Sequence, residues 1–308
     1  MDLGQIRLCM GFAAAILTMP LAASAARADW REDIGTFRIG VISEFVASRS
    51  PREMDALTGA YSRALQMPVE FVALRDFSTL IDAQVSGRID YAVHTALSYA
   101  TMDAVCECTE PLAAPVDSDL ATGIHAILIV RPGLSLTESE LGSARISWPG
   151  GESAAGMLPL SSLKIGERTL TEVSSKWTKQ DSAEAAEDLF AKGEIDGMFG
   201  WVPSSGEADD FDRGTVARLK EKGMDENAFQ VLWTSPLLRY GPHAVRANLS
   251  PEAKKLLKQF LADLPAKRSD IYDLLDQSHG GGFKPVSRSD YRSAFRMVQM
   301  VTSPDQWP

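Results

Sequence analysis

Apolar positions along this chain fall into two alternating patterns: short runs rich in β-branched residues, and longer stretches with helical spacing. Alternation of this kind predicts layered α/β structure with largely parallel sheets. Residues 37–42 read as the first strand. Residues 51–66 read as a helix, opened by Ser50 as N-cap with Pro51 at the first helical position. A second strand is expected at 69–73, a helix at 76–86 closed by Gly87, a third strand at 90–94, and a short helix at 97–104. Residues 110–116 and 123–131 read as extended.

Arg131-Pro-Gly133 marks a boundary, and a second alternating set follows it. Residues 145–148 form a strand, and the Gly/Ser/Ala stretch 150–156 opens a helix. Asp181-Ser-Ala-Glu184 is a capping-box pattern for a helix that ends at Gly193, followed by a strand at 196–199. Residues 229–234 and 241–247 read as a return to the first set, with amphipathic helices at 250–262 and 291–301. His279-Gly-Gly-Gly282 has neither the following Lys-Ser/Thr nor the strand–helix setting of a phosphate loop, and reads as a flexible connection. The pattern predicts two α/β lobes with doubly wound sheets. Residues 29–132 and 229–308 make lobe 1, residues 133–228 make lobe 2, and two crossings near 131–135 and 225–236 form a hinge.

Residues 1–28 read as a secretory signal. Arg7 is the basic element, the apolar run 8–21 is too short to span a bilayer, and Ala26-Arg27-Ala28 precedes Asp29 as the cleavage site. No later run is apolar enough for a membrane helix, so an exported, periplasmic chain is expected, not held in the membrane. Removing 1–28 takes away Arg7, Arg27 and Asp2, which moves the formal net charge from −10 to about −11. An acidic chain excludes nucleic acid and anionic membrane surfaces as partners. No H-E-x-x-H, no G-x-S-x-G and no paired catalytic constellation occurs, so no enzyme is expected.

Cys106-Glu107-Cys108 holds both cysteines of the mature chain, since Cys9 lies in the signal segment. A one-residue spacing closes almost no loop, so the pair is a poor staple. It does offer two soft sulfur donors, and residues i and i+2 of an extended segment share a face. Three readings stay open: a thiolate ligand pair, a disulfide or redox pair, and two packed thiols. In an extended segment the Cα atoms would lie roughly 6.5–7 Å apart, at the upper edge of disulfide geometry. His94, His125, His243 and His279 are scattered and supply no convincing further ligand. Ligands of doubly wound domains sit at the carboxyl ends of strands. That rule brings His94, Thr95, Ser98 and Tyr99 to the interlobe edge, with Ser43 and Glu44 after the first strand. The cysteines then fall off the cleft or at its margin.

Several segments resemble a known family in order and spacing. Phe37-Arg-Ile-Gly-Val-Ile42, Met67-Pro-Val-Glu70, Gly87-Arg-Ile-Asp-Tyr-Ala92 and Leu97-Ser-Tyr99 are similar to the phosphonate/phosphite-type solute-binding proteins of ABC transporters. So are Pro111-Leu-Ala-Ala-Pro115, Gly193-Glu-Ile-Asp-Gly197, Val231-Leu-Trp-Thr-Ser-Pro236 and residues 283–291. The resemblance implies a two-lobe periplasmic binding protein of the type 2 kind that closes on a ligand, with Tyr99 at a ligand-contact position. The family's Ser-Thr-Ser-Gly anion turn is matched by Ser153-Ala154-Ala155-Gly156, so two of three hydroxyls are missing. Glu152 adds negative charge beside it; Ser153, Trp148 just ahead of the loop and Trp201 after the strand 196–199 are candidates to line the cleft, Trp201 alternatively capping the second-lobe core. One branch of the family carries a Cys-x-Cys pair and binds arsenite. The resemblance to that branch implies arsenite, As(III), as ligand of Cys106 and Cys108 with no other cofactor. It also implies the periplasmic domain of a sensor histidine kinase controlling arsenite oxidation as partner. The alternative is an ABC-transporter substrate-binding protein for phosphite, a phosphonate or another small oxoanion.

Overall fold

The structure, a computed structural model, describes residues 29–149, 154–169, 174–206 and 212–302. The expected signal segment lies outside these residues. In chain order the strands are β1 (Phe37–Ile42), β2 (Val69–Leu74), β3 (Tyr91–Val93), β4 (Thr109–Asp117), β5 (Gly123–Val130), β6 (Ile146–Ser147) and β7 (Lys164–Ile165). They continue with β8 (Arg168–Thr169), β9 (Trp177–Thr178), β10 (Gly197–Ser204), β11 (Gln230–Thr234), β12 (Leu238–Arg239), β13 (His243–Arg246) and β14 (Gly280–Pro285).

Two six-stranded sheets define the two expected lobes. The first runs β14-β4-β13-β3-β1-β2. The second runs β11-β5-β10-β6-β9, with β12 also paired to β5. Both are mixed and not largely parallel. β1 is parallel to β2 and β3, while β13 is antiparallel to β3 and β4, and β14 to β4. In the first sheet the antiparallel members, β13 and β14, come after the chain has returned from lobe 2; in the second, β5 runs antiparallel to β10, β11 and β12.

The crossings differ from the sequence expectation. β5 pairs with β10 and β11, so Gly123–Val130 and Gln230–Thr234 belong to the second sheet, not the first. Arg131-Pro-Gly133 is a turn inside lobe 2, and the chain passes between the sheets at 118–122 and 240–242. A Pro-Gly turn punctuates any strand end, and nothing in it distinguishes a loop from a lobe boundary. The passages are tight. A Cβ on Gly123 would lie 2.3 Å from the Leu238 carbonyl oxygen, and one on Gly241 would lie 1.8 Å from that of His94. Only glycine lets backbones approach so closely. The stretch 279–282 is not a flexible connection; from Gly280 it is the start of β14, registered on Asp117.

Helix starts follow their caps. Ser50 and Glu53 close a capping box at Pro51–Leu65, and Asp76 with Thr79 does so at Phe77–Val85. The first lobe buries Phe37, Ile39, Leu57, Tyr61 and Leu257 around β1. The second buries one group on each sheet face, around Phe190 and Met198 and around Ile146 and Trp177. A further core joins the lobes. Tyr99 and Met102 of helix Ala96–Cys106 pack with Leu158 of helix Ala154–Ser162 and with Ala294 and Met297 of helix Arg292–Thr302. Truncating the fully buried Met297 leaves a cavity at this junction, for which large-to-Ala changes cost about 2–5 kcal/mol. Urea denaturation of Met297→Ala should show a loss in that range with the denaturant slope unchanged.

Candidate functional site

A cavity of about 450 Å³ lies between the sheets. Val93 and His94 at the end of β3 and Thr95, Ala96 and Leu97 at the next helix start form one wall. Ile124 of β5 and Ala154 face them from lobe 2. Arg239, Tyr240, Gly241 and His243 enter from the return crossing, and Asp276, His279 and Phe283 from the C-terminal part.

Helix Ala96–Cys106 opens on this cavity. The Thr95 hydroxyl accepts from the Ser98 N–H at 3.0 Å, and Ser98 Oγ accepts from the Thr95 N–H at 2.9 Å. This capping box satisfies the third helical position and leaves the amides of Ala96 and Leu97 without a partner among the described residues. Two unpaired N–H groups and the positive end of the helix dipole thus meet the cavity wall.

Three of the four histidines, expected to be scattered, line this one cavity. His94 is committed at both ring nitrogens, to Gln84 Oε1 at 2.7 Å and Ser98 Oγ at 3.1 Å. Burial, with His243 nearby, lowers its pKa from 6.5 to about 3. His243 shares a hydrogen bond between Nδ1 and the Tyr91 hydroxyl, and burial holds its pKa at about 4 against the upward pull of Asp276. His279 differs. Burial lowers it, but the 2.9 Å bond from Nδ1 to Asp276 Oδ1 and the charges of Asp276 and Asp117 raise it above 6.5 overall. For Asp276, burial alone would raise the carboxyl, and the bonds from His279, Ser278 N–H and His279 N–H hold it lower. Tyr240 donates to Asp117 Oδ2 at 2.5 Å, and Arg239 lies 3.4 Å from Asp290. His125 is bonded to the Ser235 carbonyl outside the lining. Among the described residues no cluster of three His, Cys, Asp or Glu side chains is arranged to hold a metal ion.

Of the residues singled out in the sequence, His94 and Thr95 line the cavity, and Ser98 stands one step behind as cap and as His94's partner. Ser43 and Glu44 are exposed at the end of β1, with Ser43 Oγ donating to the Leu74 carbonyl. Tyr99 is fully buried in the core that joins the lobes, its hydroxyl unpartnered among the described residues. Trp148 packs against the second-lobe core, and Trp201 lies under the Arg218 guanidinium at 5.0 Å. Ser153 and Glu152 lie outside the described residues. Sequence reasoning missed Arg239, Tyr240, Asp276 and His279; the one local signal was the Asp276-x-x-His279 spacing, which fits a side-chain bond across a turn.

Cys106 and Cys108 are not on an extended segment. Cys106 is the last residue of the helix and Glu107 caps it in the left-handed region, at φ 47°. That turn brings the two Cα atoms to 5.0 Å, and the sulfurs are joined as a disulfide. The pair lies at the far end of the helix from the cavity, about 15 Å away at 1.5 Å per residue, so it is off the cleft. Beside it Arg288 donates to the buried Asp103 carboxylate at 2.7 and 2.9 Å.

Residues 39–291 match the family model described as the phosphonate periplasmic substrate-binding protein of ABC transporters. Solved structures with a similar fold include XAC2383 from Xanthomonas citri bound to ATP. It shares 14% identity over 85% of this chain and 95% of that chain, with a TM-score of 0.53. Mh-p37 from Mycoplasma hyorhinis shares 9% over 85% and 98%, with a TM-score of 0.54. Likeness at this level of identity speaks for the fold alone. No helix among the described residues is long and apolar enough to cross a membrane.

His94 and His243 stay neutral when folded but titrate near 6.5 when unfolded. The unfolded chain then binds more protons below that pH. The contribution of these two histidines is therefore full above about pH 6.5 and falls on acidification, by about 1.4 kcal/mol per histidine per pH unit. Urea denaturation between about pH 6.5 and pH 5 should show this slope, roughly halved in His94→Gln. A flat profile would contradict two buried neutral rings.

Proposed function

We propose a ligand class for a chain that belongs to the phosphonate periplasmic substrate-binding protein family of ABC transporters: a small organic oxoanion, held in the cavity between the lobes. The observation that carries this reading is the open start of helix Ala96–Cys106 on the cavity wall. Unpaired helix N-terminal amides and the helix dipole favour a negative head group. Tyr240 and His279 add further polar groups to the lining. The lining is otherwise mostly apolar, with Leu97, Ile124, Leu238 and Phe283, and a cavity of about 450 Å³ exceeds what a bare tetrahedral oxoanion fills. A phosphonate with an apolar substituent suits both halves. Ala154 stands where the resembled motif has a hydroxyl, so anchoring falls mainly to lobe 1. In this reading the chain is exported through its N-terminal segment, ligand shifts the lobes toward a closed arrangement, and an ABC permease is the partner.

Proline is tolerated at the first helical position and lacks the N–H. Ala96→Pro therefore deletes one anion donor, and Thr95 already has the extended backbone that precedes a proline. Calorimetry with residues 29–308 should show saturable binding of methylphosphonate. Binding should be tighter than for phosphite and about tenfold weaker in Ala96→Pro at equal thermal stability. Binding of neither anion would end this reading.

A second reading keeps the cysteine pair as a sensor. Cys106 and Cys108 are partly exposed with Cα atoms 5.0 Å apart. Once reduced, both sulfurs would be within reach of one thiophilic arsenic. The partner would then be the periplasmic domain of a sensor histidine kinase. Arsenite titrated into the reduced chain should bind once per chain and fail to bind Cys106→Ser or Cys108→Ser. A reduced parent that takes up none removes this reading.

A further inference from the structure

We propose that His279, oriented by Asp276, is the ligand contact of this cavity whose polarity is reversed by protonation. The inference rests on the cavity being the anion site proposed above, and it names the side chain that makes anion capture depend on pH.

Elimination among the cavity's basic groups leads to His279. His94 spends both ring nitrogens on Gln84 and Ser98. His243 gives Nδ1 to Tyr91 and is buried, so it carries no charge in the ordinary pH range. Arg239 is drawn to Asp290. His279 spends only Nδ1, and its Nε2 has no partner among the described residues. It also sits at the mouth of the cavity. A second, more open cavity of about 440 Å³ shares Asp276 and His279 with the first and is also lined by Ser118, Asp273, Gln277, Ser278 and Gly280. A solute entering from that side meets the His279–Asp276 pair.

The chemistry follows from the fixed Nδ1. A carboxylate on Nδ1 holds the proton there, which leaves Nε2 of the neutral ring as an acceptor. Protonation converts the same atom to a charged donor. The groups around the ring favour the charged form. Asp276 lies on its own turn, with the Tyr272 hydroxyl 3.4 Å from its other oxygen and Asp273 in the second cavity. From the hinge side, the Tyr240 ring lies tilted at 54° with its centroid 4.4 Å from that of His279, and its hydroxyl donates to Asp117 at the end of β4. Neutral His243 lies beyond Phe283, with ring centroids 4.7 Å apart. Burial opposes the charge, and the acidic neighbours outweigh it. The charged form therefore persists above pH 6.5 and donates to an anionic head group. It is lost as pH rises further, and with it this contact.

Methylphosphonate affinity of residues 29–308 and of His279→Gln, compared at about pH 6, 7.5 and 9, tests the assignment. The ratio of the two Kd values at each pH cancels the ionisation of the ligand. It is expected to be about tenfold at the lowest pH and to approach one at the highest, with Asp276→Asn moving that fall to lower pH. A ratio that stays constant with pH while binding persists makes His279 a structural residue and overturns the inference alone. Absence of methylphosphonate binding to the parent at every pH overturns the anion reading and the inference with it.

Discussion

The passage of Gly241 against the carbonyl of His94 is the contact on which the cleft depends. It lets the returning chain come close enough for the His94 N–H to reach the Pro242 carbonyl at 3.0 Å, and for β13 to enter the sheet beside β3. A side chain at 241 would push that strand away. With β13 in register, His243 stands opposite Val93, and Arg239 and Tyr240 are set on the rim. β13 then pairs with β4, and β4 with β14, which brings Phe283 to the cavity and sets His279 just ahead of the strand. One close backbone approach thus assembles polar groups from distant parts of the chain.

Helix Ala96–Cys106 is the second organising element. Its start offers free amides to the cavity, and its end holds the cysteine pair and the Asp103–Arg288 ion pair. Between them Tyr99 and Met102 belong to the core that helix Arg292–Thr302 shares with lobe 2. The cleft and the cysteines are therefore two ends of one rigid body. An anion reading and a thiol reading need not compete for the same space.

Much of the architecture was legible because local rules agree with the fold. The strand 37–42 and the caps at Ser50 and Asp76 sit where alternation and capping chemistry put them. At Asp181-Ser-Ala-Glu184 the structure uses Ser182 as the cap, one residue later, since two adjacent residues both carry a capping oxygen. The lobe boundary was misplaced because 110–116 and 123–131 read alike, and only pairing shows that they lie in different sheets. His94 and Thr95 came from the strand-end rule, whereas Tyr240, Asp276 and His279 belong to the returning chain, whose placement is set by long-range pairing. The cysteine geometry was missed because Glu107 adopts a left-handed conformation that no propensity foretells for glutamate. The family resemblance read from the motifs agrees with the match over 39–291, and its phosphonate branch is the better supported one.

The order of strands also governs how the chain can be assembled. Lobe 2 is one uninterrupted stretch, from β5 to β12, and can complete its sheet as soon as residue 239 has emerged. Lobe 1 cannot. Until residues 243–246 arrive, β3 and β4 have no strand between them and their facing edges stay open, and the outer edge of β4 waits for residues 280–285. Unpaired edges are sites of wrong association. The second-made lobe therefore has reason to fold first, and the first-made half of lobe 1 keeps open edges until β13 and β14 have emerged.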